Sequence, residues 1–200
     1  MGTIAVIGAG SVGRALGHAF TGAGHDVVFG VRDVTDPRHA DVGRLADLRG
    51  AVAGAGVVVL AVPADSVTDA VPQLGLVSGQ VVIDATNSVR APVPGGFATM
   101  GDLVASLVPA DVHVAKAFNT VGAEHLGGGR TERGGVFLPI AGDTEATDAA
   151  AALATELGYD VVSLGGRERF AMVEDHARLW IHLAFGRGWG RRFAFTVVRS

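Results

Sequence analysis

Along this 200-residue chain, short β-branched runs alternate with longer segments whose apolar residues recur at helical spacing. Residues 4–7 are uninterrupted apolar, and the segment after them places Leu16 and Phe20 on one stripe of a helix that Gly22 and Gly24 bring to an end. A second strand is predicted over 26–31, a helix over 39–49, and a third strand over 56–62, which Pro63 terminates. A helix over 64–74, a strand over 80–84, a helix over 100–107 and a strand over 112–118 continue the alternation. Residues 136–141, 144–157 and 160–164 then read as strand, helix and strand. A continuous apolar strand such as 56–62 suits a parallel sheet buried on both faces. The pattern predicts an α/β fold, a doubly wound parallel sheet closed by a C-terminal helical segment in which Phe170, Val173, Ala177, Ile181 and Ala184 share a stripe.

The first strand runs into Gly8-Ala9-Gly10-Ser11-Val12-Gly13. A first glycine permits the tight turn off the strand, a second lets a pyrophosphate approach the backbone, and a third lets helix and strand pack closely. The amides that open the next helix face the phosphates. With 30 glycines in the chain the spacing alone is weak, but a β-branched run before it and a helix after it make it the dinucleotide-binding fingerprint of a Rossmann fold. An NAD site usually places a carboxylate about 20 residues beyond the glycines. Here that count reaches Gly30, followed by Val31-Arg32-Asp33. The planar fork of Arg32 matches the 2′-phosphate of NADP, which we prefer; the alternatives are Arg32 as a solvated cation, or Asp33 on the ribose of NAD. Residues 1–164 are then an NADP-binding domain and 165–200 a helical appendage packed on it or on a second copy.

Composition narrows the function classes. A 48% hydrophobic content is ample for a sizeable core, and no run of about 18 apolar residues or secretory leader pattern is present, so a cytoplasmic protein without a membrane span is expected. The absence of cysteine removes disulfides and thiolate chemistry. A net charge of −4 argues against nucleic-acid binding. From 165 to 200 seven arginines, Arg199 among them, stand against three acids beside most of the tryptophan and phenylalanine of the second half; a partner surface for a homodimer is the reading.

Reactive constellations are few. Tyr159 has no lysine four residues on, His176 and His182 do not share a helix face, and Glu124-His125 lacks a second histidine, so no metal site and no general acid are predicted. Direct hydride transfer between two bound rings fits such a chain. Lys116, the sole lysine, has two readings, a ligand contact at a strand end or an ion pair; Asp84 and Asn87 are expected to orient loops and ribose. Residues 127–135 read either as a mobile lid or as a surface excursion.

The segments Gly8 to Gly13, Val28 to Asp33, Ala61-Val62-Pro63, Asp84-Ala-Thr-Asn87 and Lys116-Ala-Phe-Asn-Thr120 occur in one order and spacing. In this the chain resembles the NADP oxidoreductases that depend on the deazaflavin coenzyme F420, well over about residues 1–125. The resemblance implies a nicotinamide over the Ala61, Val62, Pro63 turn with Asn87 at its border, and a deazaflavin, or a flavin, facing Asn119, Thr120 and Val121 as second redox partner. Arg187, Arg191 and Arg192, near Trp189, are candidates for its anionic tail, the alternative being a solvated face. Ala9, Ser11 and Asn119 depart from the residues common in that family. Ferric reductases that use a flavin share the module, and a non-catalytic NADPH-binding regulatory module is the alternative of another class. Hydroxyacid and phosphogluconate dehydrogenases need a large helical second domain with a catalytic lysine, and neither is expected from these 200 residues.

Overall fold

The computed structural model describes residues 2–89 and 91–198. Arg199, one of the seven arginines counted above, lies outside the described residues. Ten strands are present among them: β1 (Thr3–Ile7), β2 (Asp26–Gly30), β3 (Leu45–Ala46), β4 (Val57–Leu60), β5 (Val81–Asp84), β6 (His113–Lys116), β7 (Arg130–Thr131), β8 (Gly134–Gly135), β9 (Phe137–Gly142) and β10 (Asp160–Ser163). The α-helices are α1 (Ser11–Gly22), α2 (Leu48–Val52), α3 (Val67–Ala70), α4 (Met100–Leu107), α5 (Thr144–Glu156) and α6 (Phe170–Ile181). Eight strands form one sheet in the order β10-β9-β6-β5-β4-β1-β2-β3, and β7 pairs with β8 as a small hairpin.

Alternate residues of each central strand feed opposite faces, which is why their sequences are apolar throughout. Ile4, Val6, Val59 and Ile83 join Leu16 and Phe20 of α1 and Ala150 and Leu153 of α5 in one core. Ala5, Ile7, Val58 and Val82 join Leu48 of α2, Leu103 of α4 and Phe170 and Val173 of α6 in the other. The sheet is thus covered on both sides, as the alternation predicts, with α6 as the closing element. On α6 the predicted stripe is buried at Phe170, Val173 and Ala177, and Trp180 and Glu174 are buried with it, whereas Ile181 is only half-buried.

The fold departs from the pattern in three places. The sheet is not wholly parallel: β9 runs antiparallel to β6, and β10 follows β9 in parallel, so the last strand-helix-strand unit is attached in reverse. Residues 39–49 are not a helix. Gly43 adopts φ 112°, a conformation that interrupts helical propagation, and Leu45 and Ala46 add to the edge of β2. The helix starts at Leu48, where the Asp47 carboxylate accepts the Gly50 amide at 2.6 Å. Residues 64–74 are helical but broken into an α-helical turn at Val67–Ala70 between two 3₁₀ turns, because Pro72 has no amide to continue the ladder.

Candidate functional site

The order of the strands reverses between β1 and β4, and the carboxyl ends of these strands open a crevice of the kind in which open α/β sheets bind ligands. Gly8 turns the chain out of β1 with φ 104°, its amide donates to Gly30 O at 2.9 Å, and the Ala61 amide donates to Ile7 O at 2.9 Å. A Cβ on Gly8 would lie 2.6 Å from Ala61 O, and one on Gly13 would overlap the carbonyl oxygen of Gly8. These two glycines are therefore required by the protein's own packing. Gly10 is different. Among the described residues nothing lies within 4 Å of where its Cβ would be, and it caps α1 without a side-chain hydrogen bond. The first amides of α1, on exposed Ser11 and half-buried Val12, face that open space with the positive end of the helix dipole behind them.

This contrast separates two substitutions. Gly13→Ala forces α1 away from β1 and should cost about 1–3 kcal/mol of stability, as overpacked cores do. Gly10→Ala should leave the urea midpoint within experimental error and yet abolish most NADPH binding, because the methyl fills the approach of a ligand and nothing else. A Gly10→Ala protein that keeps its nucleotide affinity would show that no phosphate lies over this turn.

Beyond β2, Arg32 is exposed and makes no hydrogen bond or ion pair with the described residues. Its neighbours are engaged. Asp33 Oδ1 accepts the Thr35 hydroxyl at 2.6 Å and the Thr35 amide at 2.8 Å, bonds that hold its carboxyl below the ordinary value. Arg38 Nη2 lies 2.6 Å from Asp36 Oδ2, and Arg14 reaches from α1 to Asp41 Oδ1 at 2.7 Å and to the Arg38 carbonyl. Sequence reasoning missed this Arg14 brace; an arginine directly after the fingerprint, facing an Asp-rich loop, was the available signal.

The opposite wall comes from the ends of β4, β5 and β6. Ala61 and Val62 are half-buried and Pro63 is exposed, with Val62 Cγ1 against Gly8. After β6 the chain takes a left-handed turn at Phe118, φ 62°, unusual for an aromatic residue and worth about 1–3 kcal/mol of strain. Its ring is locked edge-on between Phe20 and Tyr159, at centroid distances of 5.9 and 6.0 Å. Tyr159 in turn donates its hydroxyl to His125 O at 2.6 Å, and burial pushes its phenol above the ordinary value. The turn brings Asn119 onto Asn87: Asn87 Nδ2 donates to Asn119 O at 2.6 Å, and Asn119 Nδ2 donates to Asn87 Oδ1 at 3.1 Å. Three buried polar atoms here have no hydrogen-bond partner among the described residues, Thr86 Oγ1, Asn119 Oδ1 and Thr120 Oγ1. Leaving such a group unsatisfied costs about 1–3 kcal/mol, which a ligand's polar groups would relieve. Val121 is buried beside them.

Below these loops Lys116 is completely buried, with Nζ 2.8 Å from Asp84 Oδ2 and 3.3 Å from Glu174 Oε1. Of its two readings the structure shows the ion pair, and Asp84 has the partner that the sequence left unassigned. Glu174 was missed, because it arrives on α6 from 58 positions further along the chain. Between α6 and the β5 loop lies a cleft of 340 Å³ lined by Asn87, Ser88, Glu174, Arg178 and His182 among others. Arg187, Arg191 and Arg192 are exposed, and Arg191 Nε sits 3.1 Å from Glu124 Oε1. Among the described residues no group of three or more His, Cys, Asp or Glu side chains is placed to hold a metal ion, and no helix is long and apolar enough to cross a membrane.

Solved structures with this architecture include a hypothetical protein from Sinorhizobium meliloti, 33% identical, with a TM-score of 0.71 over 83% of this chain and 86% of that one. A candidate F420-dependent NADP-reductase from Arthrobacter sp. FB24 is 26% identical and superposes with a TM-score of 0.84 over 100% of both chains. A reductive aminase from Aspergillus terreus in complex with NADPH shares the fold, TM-score 0.69 at 18% identity, although this chain spans only 63% of its length. Residues 3–88, which carry the fingerprint, Arg32, the Ala61 to Pro63 turn and Asn87, match the family described as NADP oxidoreductase, coenzyme F420-dependent. By this match over residues 3–88, and by its superposition on the whole Arthrobacter protein, the chain is similar to that family of oxidoreductases.

Proposed function

We propose that the protein transfers a hydride between NADPH and a deazaflavin of the coenzyme F420 type. The observation that carries this reading is the open space over Gly10 at the uncapped start of α1, with the guanidinium of Arg32, which has no partner among the described residues, at the neighbouring strand end. In it the pyrophosphate takes the amides of Ser11, Val12 and Gly13, and the 2′-phosphate takes Arg32. Ala61, Val62 and Pro63 support the nicotinamide, with Asn87 at its edge. Asn119, Thr120 and Val121 face the acceptor, and Asn119 Oδ1, which can only accept, suits a ring bearing an N–H. The bound coenzymes supply the redox chemistry, one hydride carrying two electrons directly between their rings. The chain contributes alignment and a dry wall.

Residues 1–164 serve in this reading as the nucleotide domain and 165–200 as an appendage folded onto it. A cytoplasmic homodimer is part of the same proposal, supported by Met172, Leu179, Phe185 and Trp189, apolar side chains left exposed along α6 and the turn that follows it.

The test is NADPH oxidation with coenzyme F420, riboflavin, FMN or a ferric chelate offered separately at equal concentration, using NADPH deuterated at the transferred position. Fastest turnover with the deazaflavin, and deuterium recovered on it, is expected. Faster turnover with another acceptor assigns a flavin or ferric reductase, and tight NADPH binding without turnover on any acceptor assigns a regulatory module.

A further inference from the structure

Buried charges are expensive, and replacing an ion pair by apolar residues of similar volume is often neutral or stabilising, so stability alone does not account for Lys116, Asp84 and Glu174. A charged cluster supplies what apolar packing lacks, a direction for each hydrogen bond. Lys116 Nζ donates to Asp84 Oδ2 at 2.8 Å and to Thr86 O at 2.5 Å, and Glu174 Oε1 stands 3.3 Å from it as a second counter-charge. Asp84 Oδ1 also accepts the Thr86 amide at 2.8 Å. The Thr86 backbone is therefore gripped at both its N–H and its C=O by a pair that strand register holds face to face, since Asp84 and Lys116 are directly opposed across β5 and β6. The residue after Thr86 is Asn87, and three residues after Lys116 comes Asn119, the two side chains that exchange hydrogen bonds at the site.

Glu174 brings the closing helix into this arrangement. Its Oε1 accepts the Gly101 amide in the first turn of α4 at 3.1 Å as well as facing Lys116, so one carboxylate ties α6 to α4 and to β6. Its Oε2 lies 3.7 Å from Arg178, and the same carboxylate borders the cleft that Asn87 lines. No part of the triad belongs to the fingerprint, and none of it touches the Gly10 turn.

We infer that Glu174, Lys116 and Asp84 are a positioning unit through which the closing helix fixes the Asn87–Asn119 pair, and with it the nicotinamide end of the site. This rests on the reading of that pair as the border of the nicotinamide. The unit acts on one half of the dinucleotide only. The adenosine half, held by the glycine turn and Arg32, is anchored on β1 and β2 and is independent of it.

The experiment compares dissociation constants of NADPH and of 2′,5′-ADP, which carries the adenosine and 2′-phosphate but no nicotinamide, for wild type and Glu174→Gln. Glutamine keeps the shape and an acceptor for the Gly101 amide but removes the charge that faces Lys116. NADPH should bind about tenfold more weakly while 2′,5′-ADP stays within about twofold, a split that general loosening of the fold does not produce. Asp84→Asn, which retains an acceptor for the Thr86 amide, should give the same split and serves if Glu174→Gln does not fold. Equal weakening of both ligands, or no change in either, overturns the positioning unit. Wild-type protein that binds neither ligand overturns the NADP reading itself, and the unit with it.

Discussion

Replacing Lys116 by Met should lower the stability of the protein by about 3–5 kcal/mol, the range found when one partner of a buried ion pair is removed. Methionine fills much of the same volume with an unbranched chain, so the loss does not come from a cavity. It comes from Asp84 and Glu174, both buried, which the substitution strands without their counter-charge. The urea midpoint reads this directly, and for a chain of this size the melting temperature should fall by about 6–20 °C. Adding Asp84→Asn and Glu174→Gln to Lys116→Met should recover a large part of the loss, because removing the stranded charges removes the penalty, and effects within one network are not additive. A loss below about 1 kcal/mol for Lys116→Met alone would mean that the carboxylates find other partners, and the triad would not be the unit described above.

Arg32→Ala should weaken NADPH binding about 30–150-fold and leave NADH almost unchanged, since the charged hydrogen bonds lost are those to the 2′-phosphate alone. The exposed guanidinium has no partner among the described residues, so its removal breaks nothing in the protein, and the melting temperature should not move. This separates the prediction from its competitor. Were Asp33 the ribose ligand of an NAD site, Arg32→Ala would affect both nucleotides equally, and Asp33→Ala would weaken NADH most. The commitment of Asp33 Oδ1 to Thr35 supports the first outcome.

The parts of this protein legible in its sequence are those whose physics is local. A strand, a turn that needs φ near 104° at Gly8, and a helix start that needs room at Gly10 all lie within ten residues, so the spacing of glycines reports them without help from the rest of the chain. The apolar stripe of α6 and the uninterrupted strands were legible for the same reason, since each period follows from one element's own geometry. The helix expected over 39–49 shows where that reasoning stops. An apolar pattern can be written on a loop, and the positive φ of Gly43 and the Asp47 cap overruled it. Strand direction was beyond reach altogether: β9 has the same two-residue period whether it runs parallel or antiparallel to β6, and only packing of the β9–α5–β10 unit chose. The site's second wall was likewise decided by tertiary structure. Asn87 meets Asn119, and Lys116 meets Asp84, across 32 residues, and Glu174 reaches Lys116 on β6 from a helix 58 residues further along the chain. No periodicity encodes such a meeting, because strand register and the docking of α6 depend on every side chain in the two cores at once, whereas a glycine turn depends only on itself.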